Sequence, residues 1–283
     1  MLTATKTHTT EDIEYLHHGD TALKLRIFRP EGDGPFPTVV DLHGGAWCKN
    51  DLTACGPRNH VLAEAGLAAA ALDFRHAGDG YPTSLIDINY AIRWLKANAG
   101  ELRLDAERIG ISGQSSGGHL AMLSAMRPFD SRYSSIPLDG GLPDIDACVR
   151  CVGMSWPVIN PLSRYRYALQ ERRNGSEWVG DIPESHDLYW GTDKNMIDGN
   201  PVCALENGEA VQIPPAIWVQ GRPDPVHDYL DPESELGIKE PERFAQRYRE
   251  AGGDIEVLYI AQTERDSRAS FDPLAAFFRK HLG

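Results

Sequence analysis

The sequence predicts an α/β fold on a mostly parallel central sheet. Strand-length apolar runs alternate with helical periodicities along most of the chain. The run "LAAAALDF" at 67–74 is apolar throughout but for Asp73, as a strand covered on both faces must be. A chain of 283 residues is also long enough to enclose one large core.

The elements follow in order. "DIEYLHH" at 12–18 and the alternating "ALKLRIFRP" at 22–30 predict a β-hairpin start, and a Gly/Pro-rich turn leads into strand "TVVDLH" at 38–43. Helical spacing at 57–65 ends at Gly66, a C-cap. After the buried run, Leu85, Ile88, Ala91, Ile92 and Leu95 recur at intervals of three and four and predict an amphipathic helix over 83–98. Strand "RIGIS", helix "GGHLAMLSAM" and strand "ACVRCVGMSW" come next, the last at 147–156. Strands at 216–221 and 255–261 alternate with helices at 239–251 and 272–281. Between Pro157 and Pro215 no clean β–α unit occurs, and aromatic and charged residues are dense. That stretch is too long for a plain loop and too aromatic for disorder. The expectation is a single domain over 1–283 with a cap inserted at 158–214.

The formal charge is −13, from 41 acidic and 28 basic residues. Such a surface repels phosphates, which argues against nucleic acid and anionic membrane as partners and suits a neutral or cationic small-molecule substrate. No basic segment followed by an apolar one opens the chain, and no apolar run reaches the roughly 18 residues of a membrane span. Five cysteines are an odd and sparse set, as in a reduced cytoplasmic protein. Cys148 and Cys151 form a lone C-x-x-C without a second pair, so they read as core thiols and no metal or other cofactor is expected. The sequence leaves a homo-oligomer open.

Two motifs carry chemistry. Gly113-Gln114-Ser115-Ser116-Gly117 matches G-x-S-x-G between a predicted strand and a predicted helix, where a strained turn exposes a serine hydroxyl. Ser116 is a rival by composition, but the glycine spacing selects Ser115. "DLHGGAWCKND" follows a buried strand, and the backbone N–H groups of Gly44, Gly45 and Ala46, with that of Ser116, can meet a developing oxyanion. Either motif alone is equally well a glycine turn. Both together, separated by one β–α–β passage, point to acyl chemistry.

These residues, with "LDFRHAG", "YPTSLIDINYAIRWLKANA" and "LDAERIGISGQSSGG", resemble the esterase and lipase branch of the α/β-hydrolases related to hormone-sensitive lipase, including arylformamidase-like members. The likeness extends from about residue 20 to the end. It implies an α/β-hydrolase fold, a serine nucleophile and hydrolysis of a small ester, lactone or aryl amide. The family's acid follows the strand after the cap, where "PPAIWVQGRPDPVHDY" offers Asp224, with Asp228 as the alternative. The family's histidine hangs in the loop after the last strand, yet residues 261–272 contain none. Of the ten histidines, His227 is the candidate base, because a tight turn could let Asp224 or Asp228 hold its Nδ1 while Nε2 faces Ser115. Two other readings stay open. The scaffold could use its oxyanion hole for a cyclase, lyase or isomerase reaction, or it could be an inactive ligand-binding relative. Tyr165, Tyr167, Trp178, Tyr189 and Trp190 are expected to line the pocket or to form a core within the cap. Arg164, Arg166, Arg172 and Arg173 could meet a carboxylate, although charged cap surfaces are ordinarily solvated.

Overall fold

The structure is a computed structural model that describes residues 7–139 and 145–283; the reading made above for residues 1–6 lies outside them. Strands β1 (His8–His18) and β2 (Thr21–Pro30) form the opening hairpin, with His18 opposite Thr21 beside the turn. β2 pairs antiparallel with β4 (Ala68–Leu72), which runs parallel to β3 (Phe36–Leu42). β5 (Leu104–Gln114), β6 (Val152–Ser155), β7 (Ala216–Arg222) and β8 (Ile255–Ala261) extend the sheet in parallel. The order is β1-β2-β4-β3-β5-β6-β7-β8.

Alternation along the strands divides the core in two. Val39, Ala69 and Ala71 face the layer formed by α1 (Gly56–Glu64) and α10 (Arg268–Leu282), where Leu62, Phe271, Leu274 and Phe278 pack. Val40, Leu42, Ala68, Ala70 and Leu72 face the opposite layer of α2 (Thr83–Ala97), the short α3 (Ala99–Leu102) and α4 (Ser116–Met126). A strand whose odd and even residues are both buried has to read as an unbroken apolar run, which accounts for β4. Every residue of α4 is buried, since it is sandwiched between sheet and neighbouring helices.

The segment between β6 and β7 folds as α5 (Pro161–Arg173), α6 (Ile182–Trp190), α7 (Asp193–Asp198) and α8 (Pro201–Glu206). α8 packs back against α4 and against α9 (Glu240–Glu250) beside the sheet. α6 docks on the passage after β4, where the Tyr81 N–H donates to the Tyr189 carbonyl at 2.8 Å.

Several element boundaries differ from the sequence reading: β1 starts at His8 rather than 12, and β5 spans Leu104–Gln114 rather than the five residues of "RIGIS". The strand expected over 147–156 shortens to Val152–Ser155; ahead of it the Cys148 N–H donates to the Asp146 carboxylate at 2.9 Å, and the Arg150 N–H and Cys151 carbonyl bond to β5. Cys148 and Cys151 therefore precede the strand rather than lie in it; Cys151 is buried and Cys148 half-buried. The last helix starts at Arg268 rather than 272, since Ser267 Oγ accepts the Ala269 N–H at 3.2 Å and caps the turn ahead of Pro273.

Candidate active site

Ser115 sits at the tip of the turn joining β5 to α4, with φ 54° and ψ −120°. Few side-chain-bearing residues hold this conformation, and it must be imposed by surroundings. The Ser115 N–H donates to the Ser155 carbonyl at 2.9 Å, and the Ser115 carbonyl accepts from Val158 at 3.1 Å. A Cβ on Gly113 would lie 2.2 Å from the Gly117 carbonyl oxygen, and one on Gly117 would lie 2.4 Å from that of His43. The strand can meet the helix this closely only with glycine at both positions.

The loop after β3 passes directly against the serine. A Cβ on Gly44 would lie 2.8 Å from the Gln114 carbonyl oxygen and 3.1 Å from Ser115 Cβ. Gly45, Ala46 and Trp47 follow with φ of 116°, 52° and 60°, a run that turns successive N–H groups to one side. The N–H groups of Gly44, Gly45 and Ala46 make no backbone hydrogen bond among the described residues. That of Ser116 is an unpaired donor of the first turn of α4. The loop is pinned from below. Trp47 Nε1 donates to His119 Nδ1 at 3.2 Å, so His119 carries its proton on Nε2 and donates to the Gly199 carbonyl at 2.7 Å. His43, 3% exposed, stacks on Phe74 at 4.3 Å and hydrogen-bonds the Gly44 carbonyl at 2.9 Å.

The turn after β7 brings a carboxylate and an imidazole to the same place. Asp224 Oδ1 accepts the Val226 N–H at 2.8 Å and fixes the turn. Its Oδ2 accepts from His227 Nδ1 at 2.9 Å and from Gln220 Nε2 at 3.2 Å. With its proton on Nδ1, His227 presents a lone pair on Nε2, which lies 3.1 Å from Ser115 Oγ. Burial, opposed by Asp224, pulls the His227 pKa down to about 4, with Arg164 and Arg265 adding to the fall. Burial pushes the Asp224 carboxyl up, but its bonds to His227 and Val226 outweigh this and hold it below the ordinary value. Asp228, the alternative acid, points elsewhere and is occupied by Arg222 at 2.9 Å and Lys239 at 2.7 Å.

The loop after β8, where the family's histidine would hang, carries other groups. Gln114 Nε2 donates to Asp266 Oδ1 at 3.0 Å, and the Arg265 guanidinium lies 5.5 Å from the Trp156 ring centre. Above Ser115 opens a cavity of about 360 Å³, with Trp47, Val158, Ile182 and Val226 among its apolar walls.

Residues 25–154 match the BD-FAE family. A stretch of 132 residues is 36% identical to a probable carboxylic ester hydrolase, LipM, of Mycobacterium tuberculosis, covering 42% of this chain and 31% of that protein. The chain thus spans less than a third of that relative's length. Over 258 residues it is 33% identical to an ethyl acetate hydrolase of Pseudomonas putida, covering 86% of this chain and 71% of the other. The chain belongs to the α/β-hydrolase esterase family. The fold of the family is evident in a Pyrobaculum calidifontis esterase, which superposes with a TM-score of 0.73 at 20% identity over 98% of this chain and 86% of its own.

Within this family member, the alternatives left open for the inserted segment divide residue by residue. Tyr165, Tyr167, Trp178, Tyr189 and Trp190 are not among the described residues that line the cavity. Tyr189 and Trp190 are buried around Trp47, and Tyr167 stacks between Trp178 and Tyr229, so these rings hold the segment to the body. The arginines are not uniformly solvated. Arg166 pairs with Glu233 and Arg172 with Glu184, and Arg173 is exposed, but Arg164 is 2% exposed and lines the cavity. Gln220 was not singled out. Its signal was a polar residue inside an otherwise apolar strand, which calls for a buried partner. Arg265 gave no signal at all.

Proposed function

We propose that this protein hydrolyses a small carboxylic ester, lactone or aryl amide through an acyl-enzyme on Ser115. The observation that carries this reading is the 3.1 Å contact between Ser115 Oγ and His227 Nε2, backed by Asp224 on the other ring nitrogen. His227 takes the hydroxyl proton as the oxygen attacks the carbonyl, and Asp224 fixes the tautomer and stabilises the imidazolium that forms. The negative oxygen of the tetrahedral intermediate is met by N–H groups of Gly44, Gly45, Ala46 and Ser116. His227 then gives the proton to the leaving group, and a water activated by the same imidazole releases the acid. The names of the relatives, a carboxylic ester hydrolase and an ethyl acetate hydrolase, support the reaction class. In this reading residues 158–214 act as a cap, with α5 and α6 roofing the cavity. Five unpaired thiols support a cytoplasmic setting.

The deciding experiment is covalent labelling of Ser115 by a fluorophosphonate, followed as intact mass against time near neutral pH, with His227→Ala alongside. Rapid labelling of the wild type that is lost in the variant is expected. Equal labelling of both would keep the hydrolase and remove His227 as its base. A folded wild type that stays unlabelled would overturn the ester reading in favour of non-hydrolytic chemistry or ligand binding.

A further inference from the structure

Arg164 stands in the first turns of α5, behind the N-cap Asn160, whose Oδ1 accepts the Ser163 N–H at 3.1 Å. Its guanidinium lies 5.2 Å from the Trp178 ring centre and 5.8 Å from that of Tyr229. Nε and Nη1 are buried and without a hydrogen-bond partner among the described residues. Arg166 and Arg172 of the inserted segment hold carboxylates and Arg173 is exposed; Arg164, the most deeply buried of the four, holds none among the described residues. An arginine cannot shed its charge, and the aromatic faces and the nearby Asp224 carboxylate, which it does not bond, offset its burial less than a directly paired carboxylate would, so folding alone does not explain it.

The cavity that Arg164 lines has a charge opposite to that of the whole molecule. Lys49, Arg164 and Arg265 line it, and Asp181 is the one carboxylate among its described lining residues. Asp181 is paired with Lys49, and Arg265 Nε lies 3.9 Å from Asp266 Oδ2, which leaves the Arg164 guanidinium without a paired carboxylate among the described residues. Arg265 Nε is likewise buried without a hydrogen-bond partner. A formal charge of −13 suggests a neutral or cationic substrate, but a bound molecule meets the lining rather than the sum.

We propose that Arg164, assisted by Arg265, is a specificity-determining residue for a substrate carboxylate, so that the preferred substrate is a small ester bearing a free carboxylate. The planar fork of a guanidinium matches the two oxygens of a carboxylate, and the bond forms where water is largely excluded. The inference rests on the ester hydrolase reading for its reaction, but not for its binding step.

The test compares matched pairs of esters, one for each side of the scissile bond. 4-Nitrophenyl butyrate is set against mono-4-nitrophenyl glutarate, and phenyl acetate against 3-acetoxybenzoate. In the wild type at least one carboxylate member is expected to exceed its neutral partner about tenfold or more in kcat/KM. In Arg164→Gln that ratio falls at least about tenfold, and Arg164→Lys restores part of it. A purely structural arginine would lower the Tm and leave the ratio unchanged. No preference in either pair, or a preference that survives in Arg164→Gln, overturns the proposal while the hydrolase stands. If Arg164→Gln does not fold, the wild type decides through salt: added NaCl should depress kcat/KM for the carboxylate member more than for its partner, and equal depression overturns the proposal. If no ester is turned over and Ser115 resists the fluorophosphonate, the hydrolase reading falls and glutarate alone becomes the probe. A rise in Tm with glutarate that vanishes in Arg164→Gln and returns in part in Arg164→Lys would still support carboxylate recognition, and no rise, or a rise that survives in Arg164→Gln, would overturn it.

Discussion

An unassisted serine hydroxyl is a poor nucleophile at neutral pH, so the contact at His227 Nε2 makes quantitative demands on single side chains. Asp224 and Asp228 are four residues apart, but only Asp224 touches the imidazole. Asp224→Asn should lower kcat by on the order of 10⁴-fold, whereas Asp228→Asn should change it by no more than about a few-fold. Steady-state kinetics on 4-nitrophenyl butyrate distinguishes the two, and equal losses would remove Asp224 from its role. The acid limb of the pH profile makes a second demand. The base must be neutral, and burial lowers its pKa to about 4, so kcat/KM on a neutral ester should reach its half-maximum below the ordinary histidine value of 6.5. A half-maximum above 6.5 would mean another base. At this scale the motifs made Ser115, Gly44 and Gly45 legible, because glycine spacing records where backbones must touch. His227 is legible through its place three residues after Asp224, once the loop after the last strand is seen to hold no histidine. The burial of Arg164 could not be read, because a charged segment looks the same whether one of its arginines is solvated or sealed under aromatic rings.

The elbow and the loop after β3 are separate elements whose mutual approach sets where an oxyanion can sit. Gly44→Ala would place a methyl 2.8 Å from the Gln114 carbonyl oxygen and push the two apart. The expected result is a folded protein whose kcat falls on the order of 10²–10³-fold, the cost of losing one well-placed donor. Circular dichroism and initial rates together check this, and unchanged kcat would mean that the loop supplies no donor. Elements with one dominant signal were readable: the doubly buried β4 by its apolar run, and α2 by its three-and-four spacing. Boundaries set by a single side chain were not. The Ser267 hydroxyl that starts α10 acts through one hydrogen bond, which leaves no periodicity to detect.

Across the whole molecule, four buried histidines share one electrostatic condition. Burial is the leading cause of a lowered pKa at each, to about 4 for His43, His119 and His227 and about 3 for His186. In the unfolded chain they take up protons near 6.5, so below that pH unfolding gains protons that the folded state refuses. The stability they contribute is full above pH 6.5 and is lost progressively as pH falls through their folded values, toward about 4 for three of them and about 3 for His186. Thermal melts should show a Tm level above pH 6.5 and falling steeply below it; a maximum near pH 5 would contradict this.

The placement of acid and base on one turn has a consequence for how such a protein can change over generations. Asp224 and His227 are three residues apart, positioned by β7 alone, and inherit or lose their geometry together. On the proposed reading, the loop after β8 is released from carrying the base and can drift. Substitutions there would alter which molecules are accepted, through groups such as Arg265, without disarming the nucleophile. Selection on substrate choice and selection on reactivity would then act on different stretches of chain.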